Sequence, residues 1–165
     1  MGQANREHNF VIASEFTGHL LTTSSLLIAV ATFVVGFLSK RRTDRLTRTL
    51  TFIREIYERD GPIRKANLEL AMWLSHKKSL HPSDLDINEE KTLVVLLDYF
   101  DLIADSANRG IVDPEMIVTH LGGKMRSIFL CANEYILSKR GMLNRPNLYN
   151  PLESFLVGHV GEREV

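Results

Sequence analysis

Two hydrophobic patterns divide this chain. From Phe16 to Ser39 there is no Asp, Glu, Lys or Arg, and apolar residues occur on every side of a helical projection. Beyond Lys40 the apolar residues fall into stripes three and four apart, the mark of helices buried along one face. Leu20 to Leu38 is 19 residues, about 28 Å as a helix at 1.5 Å per residue, close to the roughly 30 Å of a hydrocarbon core. Eleven of these are Leu, Ile, Val or Phe, each favouring insertion by roughly 0.3–0.6 kcal/mol. The hydroxyls among them can bond a carbonyl one turn back. A core helix of so small a domain would seldom run this long without a charge. A cleaved signal would have a basic start and a shorter apolar run ending in small residues. This run instead ends in Ser39-Lys40-Arg41-Arg42. A transmembrane helix is the expectation.

The stripes predict the rest. Thr43 to Arg59 continues the helix, with Leu46, Leu50, Ile53 and Ile56 or Tyr57 on one face, and no Gly or Pro separates it from the span. Arg59-Asp60-Gly61-Pro62 ends it. Pro62 starts a second helix to about Lys78, with Ile63, Ala66, Leu70 and Trp73 or Leu74 inward. Ser79 to Asp84 reads as a loop. Asp86 with Glu89 resembles a capping box. The helix that follows carries an unbroken stripe of Leu93, Leu96, Leu97, Phe100, Ile103, Ala104 and Ala107, and stops at Asn108-Arg109-Gly110. Asp113-Pro114-Glu115 opens another, with Ile117, Leu121, Met125, Ile128, Ala132 and Tyr135 inward, ending near Lys139-Arg140-Gly141. Asn144 to Leu156 is expected as an extended strap packing Leu148, Tyr149 and Phe155, and Gly161 to Val165 as a mobile tail.

The predicted fold is therefore all-α: one N-terminal transmembrane helix continuing into a small antiparallel cytoplasmic helical bundle. The expected boundaries are 1–19 outside, 20–39 in the membrane, 40–157 as the bundle and 158–165 as the tail.

Charge sharpens this picture. The 165 residues hold 20 cations and 20 anions, but the two are segregated. Residues 40–65 hold nine cations against four anions, a net +5, and residues 84–105 hold seven anions and one cation, a net −6. Lys40, Arg41, Arg42, Arg45 and Arg48 flank the span, so the positive-inside rule places the C-terminal part in the cytoplasm and the span in the inner (plasma) membrane. The same cations can meet anionic headgroups. Asp98, Asp101 and Asp105 share one helix face, away from the apolar stripe. That ridge is either solvated, paired with the basic stem or a partner, or a weak metal candidate.

Within the span, Thr22, Ser25, Ala29, Thr32, Gly36 and Ser39 recur at spacings of three and four and form a stripe of small residues. Membrane helices associate through such stripes because backbones can approach closely. The expected contact residues are these small residues and the acidic ridge.

No catalytic constellation appears. Cys131 is the only cysteine, so it can form no internal disulfide and has no partner for a zinc site. The six histidines are scattered. Leu121-Gly122-Gly123-Lys124 sits mid-helix, so it is no phosphate loop; the glycines suit close approach or a kink. The basic stem lacks the aromatics of a nucleic-acid module. Neither metal, cofactor, nucleic acid nor small-molecule substrate is expected, and the chain is not expected to be an enzyme.

Leu96 to Ile136, behind a span and a basic stem, resembles the family of domain of unknown function 4760. The resemblance rests on Phe100, Asp101, Ile103 and Ala104, on the turn Arg109-Gly110, and on Asp113 to Glu115. It departs where the family favours Glu at position 101 and an aromatic-Glu pair in place of Asn133-Glu134. It implies a helical, membrane-tethered, bacterial-type protein and supplies no activity. The expected function is an adaptor, scaffold or accessory subunit, with the lipid bilayer and either itself or another membrane protein as partners. The alternative is a bacterial conflict effector, a toxin, immunity or phage-defence protein acting at the membrane.

Overall fold

A computed structural model describes residues 3–58, 60–76 and 80–161, with side chains described from 25 onward except 74–76. All regular structure among them is helical. The chain divides into two units, Met1–Asp44 and Arg45–Val165, the second starting five residues beyond the boundary expected at Lys40.

Helix α1 runs Gln3–Tyr57, unbroken at the junction of the expected span and stem, where no Gly or Pro stands, and it begins well before the span's expected start at residue 20. In the first unit every described side chain from 25 to 44 is exposed.

The second unit is a bundle around α3 (Ile87–Asn108). Asp86 and Glu89 form the predicted capping box, and all seven residues of the predicted stripe are buried. Tyr99 and Ser106 are buried as well, because helices cover more than one face of α3. Helix α2 (Pro62–His76) packs on one side of it. There Leu70 and Ala66 are buried as expected, and Ile63 and Trp73 partly so. Residues 77–79, the expected end of that helix, and the side chain of Leu74 lie outside the described residues.

Where α1 enters this unit, its inward face differs from expectation. Ile56 is buried and Leu46 and Ile53 are partly buried, but Leu50 and Tyr57 are about half exposed and Thr49 is fully buried. Hydropathy alone would place Thr49 outside. Its hydroxyl donates to the Arg45 carbonyl (2.8 Å) and accepts the Asp113 backbone N–H (2.8 Å). A buried hydroxyl bonded in both directions carries little desolvation cost.

Asp113 caps the next helix from Glu115 N and Met116 N, with Pro114 in its first turn. This helix is not uniform: α4 (Pro114–Ile117) leads into a π-helical turn (Val118–Gly122), then α5 (Gly123–Cys131) and α6 (Asn133–Met142). All six predicted inward residues are buried. Ile117, Leu121 and Met125 are spaced four and four, a spacing the wider π turn keeps facing inward. Gly141 lies within the last turn of α6 rather than ending it; the left-handed backbone comes later, at Asn144 (φ 50°). Gly110 has φ 67°, the predicted C-terminal glycine of α3.

The strap is helical, a correction to its expected extended form. Helix α7 (Asn150–Phe155) continues into a second π turn, Leu156–Val160, and packs along α3. Tyr149, Leu152, Phe155, Leu156 and Val160 are buried, so the folded unit extends past the boundary expected at residue 157. Val160 meets Gly122, where an added Cβ would lie 3.3 Å from its Cγ2. Gly122 thus permits the close approach of the two π turns. Residues 162–165, half of the tail expected at 158–165, lie outside the described residues.

Candidate interaction surfaces

The first surface is the helix of the first unit. Ser25 to Ser39 is fifteen residues without a charge, and Leu26, Leu27, Ile28, Phe33, Val35, Phe37 and Leu38 are each more than half exposed. A soluble core helix would hide one face of this surface. Thr32 donates to the Ile28 carbonyl (2.8 Å) and Thr43 to that of Ser39 (3.0 Å), the one-turn-back bonds open to hydroxyls on a helix. Among the described residues no helix is long and apolar enough to cross a membrane. Positions 20–24 of the expected span, Thr22 among them, lie outside the described side chains. Ser25, Ala29, Thr32 and Gly36 are exposed, and a Cβ on Gly36 would meet nothing within 4 Å, so the stripe presents small atoms to whatever surrounds it. Lys40, Arg41, Arg42 and Arg48 are exposed, and Arg45 is partly buried, its guanidinium 3.5 Å from where a Cβ on Gly110 would stand.

The second surface is the acidic ridge of α3, and most of it is engaged by the chain itself. Asp98 accepts from the Tyr149 hydroxyl (3.0 Å), and Asp101 accepts the backbone N–H of Leu152 (3.0 Å). Asp105 pairs with Arg109 (2.9 Å), one turn on. Asp101 therefore caps the first turn of α7 from another helix. Tyr149, which precedes that turn, has φ 61° and offers no side-chain cap, so the orphan donors of the helix start need an outside acceptor.

Arg140 closes the arrangement from α6. Its Nε donates to the Leu148 carbonyl (2.9 Å), and one terminal nitrogen reaches Asn150 Oδ1 (3.2 Å) and Glu153 Oε2 (2.7 Å). Asn108 adds a bond to the Pro151 carbonyl (3.1 Å). Beside this buckle, the Tyr135 hydroxyl donates to Glu90 (2.9 Å), which also pairs with Lys139.

Burial raises the Asp101 carboxyl, reinforced by Asp105 and Asp98 and opposed by the Leu152 N–H. The bonds from Lys139 and Tyr135 lower Glu90. Burial lifts Tyr149, with Asp98 adding to it, and lifts Tyr135, with Glu90 adding to it. These are the shifts of a packed polar clasp, and every buried side-chain polar atom among the described residues has a partner.

Sequence reasoning missed Thr49, Arg140, Asn150 and Glu153. One signal was present: Asn150-Pro151 followed by Glu153 is a helix-start pattern in the sequence, as Asp113-Pro114-Glu115 is, although Asn150 lies inside α7 rather than ahead of it.

Little else converges. Among the described residues no three His, Cys, Asp or Glu side chains are placed to hold a metal ion. His81 caps a short 3-10 turn (Pro82–Asp84) in the expected loop, and His120 and His159 are exposed, one in each π turn. Cys131 is partly buried, and its carbonyl accepts the Leu80 N–H (3.0 Å).

The model of one protein family, a domain of unknown function designated DUF4760, matches residues 20–157 of this chain. Neither a comparison with curated proteins nor one with solved structures gives a match.

Proposed function

The chain belongs to the family of domain of unknown function 4760; from its charge-free N-terminal stretch and the cations that follow it we propose that it is a single-pass membrane protein whose helical bundle acts by binding. The N-terminal helix is the anchor. The N-terminus faces outward, and the bundle lies in the cytoplasm as an adaptor, scaffold or accessory subunit. The observation that carries this reading is the charge-free stretch whose apolar side chains are exposed on all sides and which ends at Lys40, Arg41 and Arg42. In water such a surface is costly at about 25 cal/mol per Å²; in a bilayer it is matched to its solvent.

Contacts within the membrane run along Thr22, Ser25, Ala29, Thr32 and Gly36, where small side chains let a second helix approach. The partner is another copy of the chain or a different membrane protein.

Fractionation of the full chain tests the anchor. The wild type partitions with membranes and resists carbonate extraction. Ile28→Arg, which places a charge costing about 2.5–3.5 kcal/mol near the centre of the 20–38 span, reduces the membrane fraction. Recovery of the wild type in the carbonate supernatant would overturn the reading.

A further inference from the structure

Nine successive residues of α1, Lys40 to Arg48, hold five cations and one anion, Asp44. Lys40, Arg41, Arg42 and Arg48 are exposed, and Arg45 is partly buried. Among the described residues no carboxylate forms an ion pair with any of the five. Asp44 stands four residues from Lys40 and from Arg48, a spacing at which opposite charges meet on a helix, yet it pairs with neither. By contrast, Arg109, Lys139 and Arg140 are matched within the bundle by Asp105, Glu90 and Glu153. Nor do the five cations converge. Successive residues of a helix point about 100° apart, so Lys40, Arg41 and Arg42 face three directions. Such a fan suits many phosphates spread in a plane, not one free phosphate.

Arg45 and Arg48 belong to the second unit, and there the turn from α3 to α4 is fastened beside them. Thr49 accepts the Asp113 N–H (2.8 Å), and the Arg45 guanidinium lies 3.5 Å from where a Cβ on Gly110 would stand. The backbone N–H groups of Ile111 and Val112 both donate to the Ser106 carbonyl (2.9 and 3.4 Å). Val112 is buried, and Ile111 is left exposed. An apolar side chain standing among cations is the make-up of a surface that enters the headgroup boundary. Seven residues lead from Leu38 to Arg45, at most about 25 Å of chain. In any disposition of the two units Arg45 therefore remains within that reach of the charge-free stretch.

We propose that the stem cations and the α3–α4 turn bind the headgroups of anionic phospholipid. The arginine forks take phosphate oxygens, and Ile111 reaches the apolar margin of the headgroup layer. This inference rests on the anchor reading and adds to it which lipids the chain selects and which corner of the bundle meets them.

The test is NMR of the full chain, methyl-labelled at Ile and Leu, in nanodiscs where phosphatidylglycerol replaces phosphatidylcholine stepwise. Expected is a saturable shift of the Ile111 methyls, reversed by salt at about 1 M, where charges are screened beyond about 3 Å. Ile87 is the control. It is 86 % exposed against 40 % for Ile111 but lies at the other end of α3, and its methyl signals stay in place. Inorganic phosphate added to phosphatidylcholine discs has no such effect on Ile111. Arg45→Gln with Arg48→Gln keeps Lys40, Arg41 and Arg42 for orientation and reduces the shift severalfold, while unchanged Leu93 and Ile103 signals show that the bundle is intact. A chain that elutes apart from the discs removes the anchor and this inference with it. A chain that stays with the discs overturns the inference alone if Ile111 does not shift, if Ile87 shifts as much, if inorganic phosphate acts equally, or if the double variant responds like the wild type.

Discussion

Thr49 and Asp101 show how single polar atoms hold this bundle together. Thr49 is wholly buried and bonded in both directions. Thr49→Val keeps the shape but leaves the Asp113 N–H without its acceptor, and is expected to cost about 1–3 kcal/mol in denaturant unfolding. Thr49→Ser recovers most of it. Asp101→Ala likewise strips the acceptor from the Leu152 N–H. Asp101→Asn retains an acceptor oxygen and is milder. The two carboxylates of the clasp give opposite pH slopes. The folded state raises Asp101 above its ordinary 3.8, so its contribution is fully present below that value and is lost as pH climbs through the raised folded value. Glu90 is lowered from 4.5, so its contribution is present above 4.5 and is lost as pH falls through the lowered value. Unfolding of Glu90→Gln and Asp101→Asn across this range is expected to show the acid-side loss removed in the first and the loss on raising pH removed in the second.

At the scale of elements, α7 depends on its neighbours. It has six residues, far below the length at which a helix is stable alone. Its first turn is capped from α3 and its approach is clasped by Arg140 from α6. Arg140→Ala is therefore expected to accelerate amide hydrogen exchange across residues 148–160 while leaving α3 protected. A segment exchanging as slowly as in the wild type would show the clasp to be dispensable. The π turns pose a separate constraint. Gly122→Val pushes branches into Val160 and Val118, which an added Cβ already meets at 3.3 and 3.5 Å. A cost of about 1–3 kcal/mol is expected, read as a lowered unfolding midpoint.

Over the whole molecule, the two units differ in where their apolar residues stand. In the second unit Leu152 and Phe155 complete the core from the C-terminal end of the chain, so Phe155→Ala is expected to cost about 3–5 kcal/mol. In the first unit the apolar residues complete no core among the described residues. Under the proposed function they meet lipid and a partner helix. Ala29→Leu with Gly36→Leu is then expected to reduce cross-linked oligomers of the full chain without altering its membrane fraction, which separates the small-residue stripe from the anchor.

What the residues determined unaided follows from local rules. The stripes of α3 and of the α4–α6 run are set by helical period, the stop at Gly110 by a backbone angle that few residues accept, and the start at Asp113-Pro114 by a side-chain cap and a preset backbone angle. Membership in the DUF4760 family was legible in the same stretch. The tertiary structure decided which polar groups go inside and what they hold. Thr49 displaces Leu50 from the core because a donor 64 residues away bonds its hydroxyl. The strap coils into α7 because Asp101, 51 residues earlier, caps it. Two of the three ridge carboxylates turn to the chain's own C-terminal segment for the same reason. A hydropathy pattern records only a residue's own preference for water, whereas satisfaction of a buried polar atom depends on partners that only folding brings within 3 Å.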